Sequence, residues 1–345
     1  MKKTVMLPEL NWIRGISALL IVLYHYTTQY EKSIGHIGRY PVMLPWGCGA
    51  VNVFFMLTAF LTIYSLSDSS NPIQFGLKRA KRLYPSYWSG IVLTSVIMRL
   101  LLPEYARSLP VIVINLTMLQ GFFGIENVDG VYWTLSYEII FYFYIAALLV
   151  LKLVSTRSIK RLSIAWILLS AVYFCLETAG ITGIFMRAYR LAFMPYFAAP
   201  FVGGMSLAVC AKDKKRDYIA LGTGIVSIVF SFLVQELAYA LLYCIAAVIV
   251  YAVIEMRLIR SSERYMNCVS ALESLLKPIS FIASISYPLY LLHQFIGYAV
   301  IYNLEAAGVT SEWSIVIPIA VSIGMAFVVH YCVELPIDRK LKRAR

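Results

Sequence analysis

Apolar runs of membrane-spanning length recur along this chain, and no other feature constrains its fold as much. A helix rises about 1.5 Å per residue, so about 20 apolar residues cross a hydrocarbon layer about 30 Å thick. Runs of that length or close to it cover 12–29, 48–66, 85–102, 132–152, 162–177, 190–210, 218–235, 236–256, 280–302 and 314–333. Lipid offers the backbone no hydrogen-bond partners, so such runs must be helical. The 345 residues are 60% hydrophobic and 14% charged, with a mean hydropathy of +0.75, which excludes a soluble globular protein. The expected fold is an all-α, polytopic membrane bundle of about ten transmembrane helices. It forms a single domain over 1–345, with no repeat and no appended soluble domain. The apolar stretch 110–123, PVIVINLTMLQGFF, is short and flanked by Pro110 and Gly121. It is expected to be interfacial or re-entrant.

Lysine and arginine orient the bundle, because loops rich in them stay in the cytoplasm. With both termini cytoplasmic, the inner segments hold 23 of the 30 Lys and Arg residues. They include Lys2 and Lys3, the run Lys78–Arg82, Lys212 to Arg216 and the tail from Arg339 to Arg345. Lys32, Arg39, Arg107, Arg187 and Arg190 fall outside. The net charge of +12 therefore describes a cytoplasmic face suited to anionic lipid or an anionic ligand. No nucleic-acid motif is present. The six cysteines are scattered without a CxxC pair, so neither a disulfide framework nor a metal site is expected.

Polar residues within apolar runs carry the functional information. Arg14 and His25 stand eleven residues apart, about three helical turns, so they share a face about 16 Å apart along the axis. Arg14 alone reads equally as a snorkelling anchor, and His25 as an interior histidine satisfied by its neighbours. Glu138 lies at about the depth of His25, and a His–Glu pair would satisfy both and make the histidine a better base. A structural ion pair between helices is the other reading. In KRAKRLYPSYW (Lys78–Trp88), four cations precede an aromatic belt that suits lipid headgroups. Arg79, Arg82 and Arg14 also suit phosphate, because guanidinium forks match its oxygens. A pantetheine arm has about the reach separating Arg14 from His25, so coenzyme A phosphates held inside would deliver a thioester to His25 near the outer face. His36 is expected at the surface, His330 beside Glu334 or a phosphate, and Asn52 either near the His–Glu pair or tying helices together.

The chain resembles acyltransferase family 3, membrane enzymes that acylate extracytoplasmic glycans using acyl-CoA. The likeness rests on Arg14 and His25 in LNWIRGISALLIVLYHY, on NVFFMLTAFLTIY, KRAKRLYPSYW, LTMLQGFFG with VYWTLSYEIIFYF, ISYPLYLLHQF, and VELP, in that order. It spans nearly the whole chain. It departs from the family where Thr58-Ala59 replaces a usual Ser-Gly pair, which bears on helix packing. The resemblance implies catalytic importance for His25 and a functional role for Glu138, and it also marks His293 as a catalytic candidate. It implies donor binding by Arg14, Arg79 and Arg82, and a role for Trp133 beside Glu138.

The reading that follows is acyl transfer across an inner membrane. Acyl-CoA, taken as acetyl-CoA, enters from the cytoplasm, and His25 oriented by Glu138 acts as general base on a carbohydrate hydroxyl or as a transient acyl acceptor. Trp133, Tyr137 and Asn52 are candidate acceptor-side or oxyanion donors. No metal is required. Expected partners are acyl-CoA, a carbohydrate acceptor and membrane lipid, with a homo-oligomer or a separate extracytoplasmic protein also open. Two rivals remain: a proton-coupled transporter, which would also need intramembrane His, Glu and Arg, and a non-catalytic member of an envelope-assembly complex.

Overall fold

The computed structural model describes residues 7–37, 43–67, 70–213 and 216–343. Lys2, Lys3, Arg39, Lys214, Lys215 and Arg345, used above to orient the bundle, lie outside the described residues. The described residues form an all-α structure. In chain order the α-helices are α1 (Pro8–Tyr24), α2 (Tyr30–Ser33), α3 (Ala50–Ser65), α4 (Pro72–Leu101), α5 (Leu109–Asn115), α6 (Trp133–Val150), α7 (Thr156–Thr178), α8 (Ile184–Phe193), α9 (Ala198–Asp213), α10 (Tyr218–Val234), α11 (Leu237–Val253), α12 (Glu263–Leu275), α13 (Lys277–Ser284), α14 (Ser286–Leu292), α15 (Gln294–Ala306), α16 (Trp313–Val329) and α17 (Leu335–Arg343).

Six helical stretches among these are long and apolar enough to cross a membrane: Pro45–Ser65, Gly130–Val150, Thr156–Thr178, Ile184–Asp213, Leu237–Ile259 and Trp313–Lys340. The other runs expected to span are interrupted or mixed in character. Helix α10 is apolar but only 17 residues long. Helix α4 has 30 residues and spends its first third on the basic run. The run 280–302 is divided among α13, α14 and α15. Exposed aliphatic residues recur at i and i+4, as in Val92, Val96 and Leu100 of α4 and Ile225, Val229 and Leu233 of α10. Stripes of this kind face lipid, since an aqueous surface does not carry contiguous apolar rows.

The chain divides into two compact units, each built from separated segments. The first comprises Met1–Ser17, Cys48–Pro72 and Glu138–Ser280. Its centre is α9, whose residues 198–211 are all buried and which packs against α3, α7, α10 and α11. Gly204 makes this possible: a Cβ there would lie 2.2 Å from the Met56 carbonyl oxygen and 2.8 Å from Ala59 Cβ. The close approach that Ala59 withholds on α3 is thus supplied by glycine on α9. Phe55 stacks on Phe201, and Phe201 in turn on Phe141 and Trp166, with ring centroids 4.8, 4.9 and 5.7 Å apart. At the basic end of this unit several cations are paired. Lys160 meets Asp217 at 2.6 Å, Arg257 meets Glu9 at 3.1 Å, and Arg216 and Arg260 both bind Glu255.

The second unit comprises Ala18–Gly47, Ile73–Tyr137 and Phe281–Arg345. In it α16 packs along α14 and α15. The stretch 110–123 is a seven-residue helix, α5, followed by a short 3-10 turn at Gln120–Phe123. Its terminal carbonyls need partners, and the aromatic cluster of α4 provides them. Tyr87 donates to Asn115 O at 2.8 Å, Trp88 to Leu116 O at 2.9 Å and Tyr84 to Thr117 O at 2.8 Å. Read as an interfacial belt, these three side chains instead hold a short helix whose backbone would otherwise lack partners. His36 is not a surface residue. Its Nδ1 lies 2.6 Å from Glu305 Oε1 and its Nε2 3.0 Å from Tyr26 O, with both acidic and basic side chains 1% exposed.

Candidate active site

His25 follows directly on α1 and opens five residues of π-helix, His25–Gln29. Such segments insert one extra residue into a helical turn and re-aim the side chains there. Nδ1 of His25 lies 2.8 Å from Ile21 O, one turn back, and 3.0 Å from His293 Nε2. The two imidazoles meet edge to face, with centroids 4.8 Å apart and planes at 69°. His293 stands between α14 and α15, and its Nδ1 faces Tyr290 O at 2.9 Å and Leu289 O at 3.1 Å.

These contacts fix both tautomers. A carbonyl oxygen only accepts, so Nδ1 of His293 carries its proton and Nε2 presents a lone pair. That lone pair faces Nδ1 of His25, which also faces a carbonyl, so Nδ1 of His25 must donate. The bare nitrogen of His25 is therefore Nε2, the one free to take a proton from a substrate. Exposure separates the roles: His25 is 8% exposed and His293 0%. His25 can meet a reactant, and His293 acts through it.

The surrounding helices hold this pair. Tyr26 Oη donates to His293 O at 2.6 Å and lies 2.6 Å from Ser322 Oγ on α16. Its ring lies against Gly297 of α15, where a Cβ would fall 2.2 Å from the ring carbons. Thr134 Oγ1 lies 2.8 Å from Tyr290 Oη, and Tyr290 also donates to Val131 O at 3.2 Å. Trp133 and Tyr137 meet edge to face, 5.5 Å between centroids.

The second unit thus holds His25, His293, Trp133, Tyr137, Arg79 and Arg82, and the first unit holds Arg14, Asn52 and Glu138. Arg79 and Arg82 are three residues apart on α4 and share a face. The Arg79 guanidinium sits over the Phe75 ring, 5.3 Å from its centroid, and Arg82 is exposed. Glu334 of the VELP motif accepts from Ser86, one turn beyond Arg82, at 2.7 Å, and its other oxygen lies 2.5 Å from His330 Nδ1. The expected His330–Glu334 contact is present, and the motif anchors α4 just past its basic run. Arg14 is half-buried on α1. Asn52 is buried and donates to Gln235 Oε1 at 2.7 Å and Tyr239 O at 3.2 Å, tying helices together. Glu138 accepts from the Tyr142 hydroxyl. The nitrogen of His25 that an orienting carboxylate would take is occupied by Ile21 and His293. Sequence reasoning reached both histidines without pairing them, and it missed Tyr26, Tyr132 and Asp129. An acidic residue before glycine at the start of an apolar helix, as in VDGVYW, was the available signal for the last.

A multi-pass helical membrane protein with a buried, tautomer-fixed histidine pair is the class that fold and site define. The family model described as "Acyltransferase domain" matches residues 7–333, so the chain belongs to that acyltransferase family. No curated protein and no solved structure matches it.

Proposed function

We propose that this membrane acyltransferase moves an acetyl group from acyl-CoA, bound from the cytoplasm, to a hydroxyl of an extracytoplasmic or lipid-linked carbohydrate at a bacterial inner membrane. The observation that carries the chemistry is the bare Nε2 of His25, backed on Nδ1 by the His293 lone pair. In the transfer step Nε2 of His25 takes the acceptor hydroxyl's proton as the oxygen attacks the thioester carbonyl. The resulting imidazolium donates from Nδ1 to His293, a neutral counterpart of the carboxylate in a Ser-His-Asp triad. The tetrahedral intermediate collapses, the carbon–sulfur bond breaks, and the proton on Nε2 passes to the departing thiolate. Arg14, Arg79 and Arg82 bind donor phosphates, since guanidinium groups take phosphate oxygens bidentately. Trp133 and Tyr137 serve the acceptor and the oxyanion.

The test is acetyl-CoA affinity by calorimetry on detergent-purified wild type, Arg14→Ala and His25→Ala. Binding that weakens in Arg14→Ala and persists in His25→Ala supports the reading. A folded wild type that binds no acyl-CoA at millimolar donor removes its central claim and brings a proton-coupled transporter forward.

A further inference from the structure

The contact between His25 and His293 depends on an interruption in one helix. An uninterrupted helix would send the Phe295 amide to Leu291 O four residues back. Instead Phe295 N donates to Asp129 Oδ2 at 3.0 Å, and Leu291 O accepts from Tyr132 Oη at 3.2 Å. Both halves of the missing backbone bond are thus replaced by side chains three residues apart in the segment that leads into α6. Tyr26 adds a second hydrogen bond to the carbonyl of His293, at 2.6 Å, beside that from Gly297 N. Asp129 is 0% exposed, and its other oxygen accepts from Val131 N at 3.2 Å. A buried carboxylate is costly unless its lone pairs are met, so its presence here calls for a reason. Two amides approach two separate oxygens, a demand met by a carboxylate and not by a carboxamide, whose nitrogen would confront one of them.

We propose that Asp129 is a positioning residue for acyl transfer: by capping α15 at Phe295, with Tyr132 on Leu291, it keeps the helix interrupted at His293. Nε2 of His293 is thereby aimed at Nδ1 of His25, which donates to it as well as to Ile21 O. The link to activity rests on the function proposed above, whereas the link to the His25–His293 hydrogen bond does not.

The experiment uses the full chain in detergent, labelled with 15N-histidine, and compares wild type with Asp129→Asn and Tyr132→Phe, each of which removes one half of the replacement. The nitrogen shifts of His25, assigned with His25→Gln, report which ring nitrogen is protonated. Wild type shows a protonated Nδ1 and a bare Nε2. In folded Asp129→Asn the His25 Nδ1 resonance shifts because its hydrogen bond to His293 is lost and Ile21 O alone remains as acceptor, and acetyl transfer falls at least about tenfold with the donor KM unchanged. Tyr132→Phe moves the same way. A folded Asp129→Asn with the wild-type His25 signature overturns the proposal, and so does loss of folding in both variants, which would assign the carboxylate to stability alone. If Asp129→Asn alone fails to fold, an unaltered signature in Tyr132→Phe overturns it. A shifted signature in a protein with no transferase activity keeps the positioning role and removes the acyl-transfer reading.

Discussion

A histidine serves as a base only at the ring nitrogen without a proton, so the hydrogen bonds of the opposite nitrogen decide what it can do. For His25 those bonds run to Ile21 O and His293 Nε2. Replacing His25 by Gln should lower acyl transfer by about 10²- to 10⁴-fold, the usual worth of a positioned base, while acyl-CoA affinity stays within error of wild type. His293 contributes one acceptor atom, and that atom can be imitated. His293→Gln, whose amide oxygen can accept from His25, should retain more activity than His293→Leu, and the ratio of the two rates in one assay checks this. Equal rates would deny the acceptor role. Tyr26→Phe removes one hydroxyl that meets both His293 O and Ser322 Oγ. Its expected cost is about 0.5–1.5 kcal/mol, the net worth of one hydrogen bond, because His293 O still accepts from Gly297 N, read as a lower melting temperature in detergent.

Among the elements, α9 shows the strictest packing. Gly204→Ala would place a methyl 2.2 Å from the Met56 carbonyl oxygen, and backbone cannot rotate away as a side chain can. Overpacking of this kind costs about 1–3 kcal/mol, and a fall in monodisperse protein on size exclusion should report it. Asp217 caps α10 by accepting from Ala220 N at 3.0 Å and binds Lys160 at 2.6 Å. Partial burial raises its carboxyl, but the Lys160 ammonium and the Ala220 and Ile219 amides outweigh that and hold it below the ordinary carboxylate range. A carboxyl depressed in the folded state contributes stability above its unfolded value, about 3.9, and loses it as pH falls through the folded one. Asp217→Asn should therefore flatten the acid limb of a melting-temperature profile. What was legible in the sequence was local: apolar length, the basic run, the shortness of the apolar stretch 110–123. The lateral partner of His25 was not legible, because counting turns gives depth along a helix axis and says nothing of which helix lies beside it. Depth pointed to Glu138, whereas the structure sets His293 on Nδ1. The interruption at His293 was equally hidden, since Leu292, His293 and Gln294 carry no glycine or proline, and the residues that hold the helix apart lie over 150 positions earlier in the chain.

At the scale of the whole molecule, the decisive quantity is which membrane face carries the charge. Positive loops on one side would put Lys78, Lys81 and Arg82 at the cytoplasm, where they are exposed on α4, while the paired cations of the first unit are already neutralised by Glu9, Asp217 and Glu255. The start of α4 is where the proposed phosphate-bearing donor would dock. Glu312, exposed between α15 and α16, should then face outward, the same side as the acceptor. Single cysteines at Lys81 and Glu312, in a background lacking the native cysteines, test this in intact cells with a membrane-impermeant maleimide. Glu312→Cys should label from outside and Lys81→Cys only after the cells are opened. Added acetyl-CoA should slow labelling at Lys81→Cys and leave Glu312→Cys unchanged if, as proposed, donor and acceptor approach from opposite faces. Labelling of Lys81→Cys from outside would reverse the orientation and require the donor phosphates to bind elsewhere.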